Sequence, residues 1–170
     1  MEELLSVLVE EMTSRYCAHT IILYGSMADN TANAQSDIDL ACFTDGKCPS
    51  RDARVFHDKY LDAWLYHTST LLKADSDFIH LVGGFCLKDE KGLGKEFLHG
   101  LKQIFAMGPE ALSVEDIEHT KVWIIKSLER AKRGDPEANY RRSWLVSELL
   151  KIYFQLRNKW FLGPKKSFVW

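Results

Sequence analysis

Two apolar runs constrain this chain more than any other feature, because the first ends in Gly25-Ser26 and the second carries Asp37 and Asp39. Thr20 to Tyr24 is β-branched and bulky, which predicts a buried strand. The glycine and the small hydroxyl that follow predict a tight turn into a helix. Such a turn offers backbone N–H groups and the Ser26 hydroxyl to an anion such as a phosphate.

The two aspartates follow Ser26 after ten residues and flank Ile38 in the second apolar run. Residues two apart in a strand point to the same face, so we expect Asp37 and Asp39 to lie side by side. Neighbouring carboxylates repel each other unless a cation lies between them. Mg²⁺ is the natural occupant, usually with triphosphate oxygens completing its shell. Adjacent strands would thus supply the machinery of phosphoryl or nucleotidyl transfer.

A third acid lies in a third predicted strand, Leu61 to Tyr66. Asp62 would share one face of this strand with Trp64 and Tyr66. A carboxylate among large apolar neighbours is costly unless it faces a metal or another partner, which makes Asp62 the natural third acid. The alternative is an edge strand with Asp62 in water.

Composition narrows the class of protein. The 170 residues, 46% hydrophobic and 27% charged, are ordinary for a soluble globular protein of one compact domain or two small ones. A net charge of −2 gives no global basic field, which weighs against duplex nucleic acid as a partner, although a local basic groove stays open. No apolar run approaches membrane-spanning length and the acidic start is unlike a signal peptide, so we expect a cytoplasmic protein with no membrane partner. The four cysteines lie in or beside apolar segments without metal spacing, which favours buried reduced thiols.

The predicted class is α+β: a small mixed β-sheet with flanking helices, followed by a helical C-terminal domain. Gly108-Pro109 marks the boundary between residues 1–108 and 109–170. Beside the strands above, we expect a short strand within 83–89 and helices over 2–16, 50–60, from 92, 113–133 and from 136 past 160. Ser113, with Asp116 three residues on, is the expected cap of the helix over 113–133, and Asp135 followed by Pro136 is the expected cap of the last helix. Gly92-x-Gly94-Lys95 lacks the spacing of a phosphate loop and is interpreted as a helix start. The apolar end at residues 168–170 suggests that the chain lacks C-terminal residues of a longer protein.

The order apolar-Gly25-Ser26, ten residues, Asp37-x-Asp39 and a third acid resembles the nucleotidyltransferase fold superfamily of DNA polymerase beta. The compact form and the helical C-terminal half look like bacterial antibiotic nucleotidyltransferases of the aminoglycoside and lincosamide types. The motif covers residues 21–66, and the helical similarity is looser.

This resemblance implies a role for each residue of the motif. Gly25 and Ser26 would hold the triphosphate, Asp37 and Asp39 would ligate two Mg²⁺ ions, and Asp62 would ligate the catalytic ion. The implied reaction transfers a nucleoside monophosphate, AMP from ATP, to a hydroxyl of a small molecule such as an aminoglycoside and releases pyrophosphate. Residues 1–108 would be the catalytic domain, and residues 109–170 would bind the acceptor or form a homodimer.

A general base is expected from the helical half, as in kanamycin-type relatives. Glu148 lies within an apolar stripe at helical spacing, which makes it the candidate. The alternative is a glutamate that is paired with Arg141, Lys151 or another helix.

Two other functions stay open at this level. A toxin–antitoxin nucleotidyltransferase would modify a partner protein or a tRNA instead of a small molecule. A scaffold that only keeps the fold is disfavoured, because all three acids are present.

Overall fold

The computed structural model describes residues 2–167, so the apolar chain end at residues 168–170 lies outside the described part. The chain divides into two compact units, Met1–Ala106 and Met107–Trp170. The first unit holds a sheet with helices and the second is helical, which confirms the α+β class.

The N-terminal unit is built on a five-stranded mixed sheet in the order β3-β4-β2-β1-β5. Strands β2 and β4 are parallel, and every other neighbouring pair is antiparallel. Its elements are α1 (Glu2–Tyr16), β1 (Thr20–Tyr24), β2 (Ile38–Thr44), β3 (Arg51–Phe56), β4 (Lys59–His67), β5 (Phe85–Asp89) and α2 (Leu93–Met107). Short 3-10 helices span Gly25–Met27, Thr68–Leu72 and Ser76–Leu81.

Alternate residues of the central strands enter two separate cores. On one face of the sheet, Leu40 of β2 and Ala63 of β4 belong to the core that contains Leu8 and Met12 of α1. On the other face, residues such as Phe43 pack in the core that contains Phe97 and Leu101 of α2. Because side chains alternate along a strand, the positions next to Leu40 and Ala63 face the α2 side of the sheet. This places the acidic positions 39 and 62 on the same face.

The segment predicted as a helix over 50–60 is a β-hairpin, so that prediction is wrong. Exposure alternates along β3, with Asp52 and Phe56 buried, and this period of two belongs to a strand. His57 (φ 45°) and Asp58 (φ 64°) both adopt left-handed backbone conformations and form a two-residue turn into β4. The hairpin pairs Arg51 with Trp64, and β3 forms the edge of the sheet instead of β4.

Helix α2 begins at Leu93, close to the helix start predicted at Gly92, and its N-terminus is capped by Asp89. The Asp89 carboxylate accepts hydrogen bonds from the N–H groups of Gly94 (3.1 Å) and Lys95 (3.0 Å). A Cβ at Gly94 would stand 2.6 Å from Thr20 Cγ2 and 2.9 Å from Cys86 Sγ. The glycine therefore brings the helix close to the sheet, and a carboxylate of the chain itself already uses the free N–H groups that a phosphate would need.

The C-terminal unit contains α3 (Val114–Ala131), α4 (Pro136–Gln155) and the short α5 (Pro164–Ser167). Both predicted caps are confirmed: Ser113 accepts from Asp116 N–H and Asp135 accepts from Ala138 N–H, with Pro136 in the first turn. Helices α3 and α4 pack through an edge-to-face contact between Trp123 and Trp144, with ring centroids 5.4 Å apart.

Helix α4 is shorter than predicted. It ends at Gln155, and Asn158 takes a left-handed conformation (φ 52°) that turns the chain. Lys159 N–H then donates to the carbonyl of Phe154 at 2.9 Å, so Trp160 lies beyond the helix. The prediction of a helix past 160 followed the apolar spacing and missed this turn.

Two smaller sequence expectations concern the cysteines and the membrane. Cys42 is buried and Cys48 and Cys86 are half-buried, but Cys17 is exposed, so the expectation of a buried thiol is wrong there. Within residues 2–167, no helix has the length and apolar character needed to cross a bilayer.

Candidate nucleotide site

The turn after β1 is shaped by Gly25. Its φ of +71° lies in the left-handed region, and its carbonyl accepts hydrogen bonds from Ala28 N–H (3.1 Å) and Asp29 N–H (3.2 Å). Gly25–Met27 is a single 3-10 turn, so the predicted helix after the strand is reduced to this turn. Ser26 lies half-buried in it. The structure therefore confirms the tight turn that the sequence predicted directly after β1.

Asp39 packs directly against this turn. A Cβ at Gly25 would collide with the Asp39 carboxylate, since it would lie against Oδ2 and 3.2 Å from Cγ. Strands β1 and β2 pair so that Tyr24 opposes Asp39, which confirms that the glycine turn and this acid come from adjacent strands. The missing side chain of Gly25 therefore makes the room that Asp39 occupies.

Asp62 stands beside Asp39 on the neighbouring parallel strand. The two residues are register partners, Asp39 on β2 and Asp62 on β4, and neighbouring strands lie about 4.8 Å apart. Both side chains belong to the α2 face of the sheet, because the residues on either side of each, such as Leu40 and Ala63, belong to the opposite core. The sheet therefore brings two of the three predicted acids together.

Asp37 occupies a different place from the one predicted. Strand β2 begins at Ile38, so Asp37 precedes the strand instead of lying within it. Its side chain is exposed, whereas the preceding Ser36 is buried and accepts a hydrogen bond from Asn33 N–H at 2.9 Å. Asp37 thus ends the loop that connects the glycine turn with β2, and its side chain is exposed there.

Arg51 is the residue at this site that the sequence analysis missed. Its guanidinium donates two hydrogen bonds to the Asp62 carboxylate, from Nε to Oδ1 (2.6 Å) and from Nη2 to Oδ2 (2.7 Å). The same group lies over the Trp64 ring, 4.9 Å from its centroid. Hydrogen bonding to Asp62 raises the pKa of Arg51. The contact between Arg51 and Asp62 depends on the antiparallel pairing of β3 with β4. A helix over residues 50–60, as predicted, would not give this pairing.

The acids act electrostatically on two nearby tyrosines. Burial raises the pKa of Tyr24, and the negative charges of Asp39 and Asp62 raise it further. Burial and the charge of Asp62 likewise raise the pKa of Tyr66. An ordinary tyrosine, with a pKa of about 10, is already neutral at neutral pH, and the acids move both phenols further from ionisation.

Aromatic rings line the same face of the sheet beside the acids. Tyr24 meets His80 edge-on with centroids 5.4 Å apart, and Tyr66 meets Phe78 in the same way at 5.2 Å. His80 and Phe78 are themselves neighbours at 6.3 Å. The short 3-10 helix over Ser76–Leu81 thus supplies two rings, and nothing in its sequence pattern indicated this location.

The donor atoms at the site suit a hard divalent cation, although not in their present arrangement. Carboxylate oxygens are the ligands that Mg²⁺ prefers. Among residues 2–167, however, no group of three or more His, Cys, Asp or Glu side chains is arranged to hold a metal ion. Both oxygens of Asp62 are engaged by Arg51. The residue types therefore suit a divalent cation held by Asp39 and Asp62, which are register partners, with Asp37 just before β2 as a further carboxylate.

Glu148, the predicted general base, lies on α4 in the C-terminal unit. Its side chain is about a quarter exposed (26%) and accepts a hydrogen bond from Lys151 Nζ at 2.6 Å. It borders a shallow, open depression together with Trp123 and Ile152. The pairing with Lys151 was one of the alternatives for this residue, whereas Arg141 pairs with Glu137 instead.

Comparison with known families bears on the N-terminal unit. The family model described as "Polymerase beta, Nucleotidyltransferase" matches residues 9–84, a range that includes the glycine turn, Asp37, Asp39 and Asp62. The match supports the nucleotidyltransferase superfamily for this unit, and with it a nucleotide substrate and nucleotidyl transfer as the general activity. No curated protein matches the chain.

Proposed function

We propose that this protein is a metal-dependent nucleotidyltransferase. It would transfer AMP from ATP to a hydroxyl group of a small molecule such as an aminoglycoside and release pyrophosphate. The observation that carries the proposal is the placement of Asp39, which packs against Gly25 and stands in register with Asp62. The family match over residues 9–84 supports the reaction class.

In the proposed reaction the acceptor oxygen attacks the α-phosphorus of ATP. The new bond forms between that oxygen and phosphorus, the bond to the bridging oxygen breaks, and pyrophosphate leaves with the bonding electrons. The backbone N–H groups of the Gly25–Met27 turn and the Ser26 hydroxyl would donate hydrogen bonds to phosphate oxygens. Because Gly25 also fixes Asp39, one turn sets the phosphates and this carboxylate relative to each other.

Asp37 and Asp39, joined by Asp62, would hold the two Mg²⁺ ions. When bound, these ions would neutralise the charge that develops on the phosphates and ease ionisation of the acceptor hydroxyl.

The acceptor proton needs a base, and Glu148 remains the candidate for that role. The hydrogen bond from Lys151 orients this carboxylate, and Glu148 would have to leave Lys151 to accept the proton of the acceptor hydroxyl. A homodimer that completes the acceptor site is part of the same proposal, and gel filtration of the protein tests it.

The direct test is transfer of labelled AMP. The protein is incubated with Mg²⁺, α-labelled ATP and a panel of aminoglycosides and lincosamides, and pyrophosphate release and labelled product are measured. We expect pyrophosphate release only when a suitable hydroxyl compound is present. In Asp39→Asn the rate of release should fall by at least about 100-fold, because the substitution removes a carboxylate charge that the proposal places next to the reacting phosphate. Asp58→Asn is the matched control, since it makes the same substitution in the β3–β4 turn, where asparagine tolerates the left-handed backbone.

Three outcomes are informative. Release that requires Asp39 supports the proposed reaction. Label that appears on a protein or a tRNA added from a cell extract, and on no small molecule, replaces the proposed acceptor with a macromolecule. No release with any acceptor and any nucleoside triphosphate, from a folded protein, contradicts the proposed activity.

A further inference from the structure

The strongest unexplained feature of the site is the ion pair between Arg51 and Asp62. The pair has the two-pronged geometry in which a planar guanidinium matches both carboxylate oxygens. The Asp62 side chain is 20% exposed and that of Arg51 is 43% exposed, so the pair sits in a half-open position. The Arg51 guanidinium also stacks over the Trp64 ring, and this contact limits the positions that the guanidinium can adopt.

The Arg51 guanidinium is a cation held on a carboxylate that the proposed function assigns to a metal ion. Asp62 stands beside Asp39 on the adjacent strand, which is the position from which it would complete a metal site. Each of its two oxygens directs one lone pair to Arg51, so a divalent ion could use only the remaining lone pairs while the guanidinium stays in place. The positive charge of Arg51 also opposes a second cation nearby.

We infer that Arg51 is a positioning residue that competes with the metal ion for Asp62. Without nucleotide, the arginine holds the third carboxylate and lowers the affinity of the site for divalent cations. When metal and triphosphate bind together, Asp62 exchanges the guanidinium for the metal, and the arginine leaves its place over Trp64. The inference rests on the proposed function, because it assumes that Asp37, Asp39 and Asp62 hold metal.

The test measures metal binding directly, without turnover. Mn²⁺ affinity is measured by electron paramagnetic resonance on the full chain for the wild type, Arg51→Ala and Arg51→Lys. We expect Arg51→Ala to bind Mn²⁺ about three- to tenfold more tightly, because it removes a competing partly exposed ion pair. Arg51→Lys keeps the charge but loses the two-pronged contact, and its affinity should fall between the other two. Lys59→Ala, which removes one positive charge from the turn end of the same hairpin, should leave the affinity unchanged.

A second measurement follows the arginine itself. Trp64 is the sole tryptophan of residues 1–106, and the guanidinium lies over its ring. Adding Mg²⁺ with a non-hydrolysable ATP analogue should change its emission as the cation leaves. The change should be absent in Arg51→Ala and in Trp64→Phe.

The outcomes separate the inference from the function it rests on. Mn²⁺ binding that requires Asp39 but is equal in the wild type and Arg51→Ala overturns the inference and leaves the proposed nucleotidyl transfer standing. Weaker Mn²⁺ binding in a folded Arg51→Ala protein also overturns it, since the arginine would then support the metal site. Absence of Mn²⁺ binding in every variant, with or without nucleotide, contradicts both. An equal affinity gain in Lys59→Ala reduces the effect to general charge and overturns competition for Asp62.

Discussion

Replacing Gly25 with alanine tests the contact that organises the site. The backbone at this position has a φ of +71°, which costs an alanine about 1 kcal/mol relative to glycine. The added methyl group would also meet the Asp39 carboxylate, with Cγ 3.2 Å away, and moving that side chain off its preferred rotamer costs about 1 kcal/mol more. We therefore expect the free energy of unfolding to fall by about 2 kcal/mol.

Gly92→Ala is the matched control for this substitution. Gly92 has nearly the same φ (+73°), and nothing lies within 4 Å of the position that its Cβ would take. It should lose only the backbone part, about 1 kcal/mol. Urea unfolding followed by circular dichroism compares the two variants with the wild type.

The functional effect of Gly25→Ala should exceed its effect on stability. Displacement of Asp39 by about 1 Å moves a carboxylate away from the reacting phosphate, which costs on the order of 100-fold in rate. Pyrophosphate release should therefore fall by about that factor, whereas Gly92→Ala should stay close to the wild type. Equal stability loss in both variants, together with equal activity, would refute the reasoning that Gly25 makes room for Asp39.

Further predictions concern how the N-terminal unit is held together. Burial lowers the pKa of His19, so the folded chain favours its neutral form. Above the ordinary histidine pKa of about 6.5, His19 should not affect the free energy of unfolding. Below that pH, the free energy of unfolding should decrease, because the unfolded chain binds the proton more readily. Urea unfolding between pH 5 and pH 8 should show a smaller decrease in His19→Gln, and an unchanged slope would contradict the assignment. Asp89→Ala removes the acceptor of the Gly94 and Lys95 N–H groups and should lower the free energy of unfolding by about 1 kcal/mol. Asp89→Asn keeps one acceptor oxygen and should lower it less. Thermal unfolding compares the two variants. Gly94→Ala should cost about 1–3 kcal/mol in urea unfolding because its methyl group would collide with Thr20, and a neutral result would show that α2 can move away from the sheet.

Much of the candidate site could be predicted from the sequence because its signals are local. The bulky run over Thr20–Tyr24 and the Gly25-Ser26 pair predict a strand and a turn from steric preferences alone. Alternation along residues 61–66 predicted that Asp62 shares a face with Trp64 and Tyr66, and the structure confirms that strand. The helix caps at Ser113 and Asp135 were equally readable, because a cap depends on only four consecutive residues.

The tertiary structure decided what depends on pairing between distant segments. Residues 50–60 carry apolar spacing that fits a helix, but pairing with β4 and the turn at His57-Asp58 makes them a strand. That choice placed Arg51 against Asp62, a contact that sequence spacing could not indicate because it requires the register of two strands.

The glycine turn and its acids show the same division. The sequence by itself determined which side chains are available to the candidate site: a glycine at a strand end, and aspartates at fixed spacing beyond it. Only the folded sheet decided that Asp39 occupies the space left by Gly25, that Asp37 lies before the strand, and that Asp62 is held by an arginine. The physical reason is that the type of a side chain depends on one residue alone, whereas the distance between two carboxylates depends on strand register and packing.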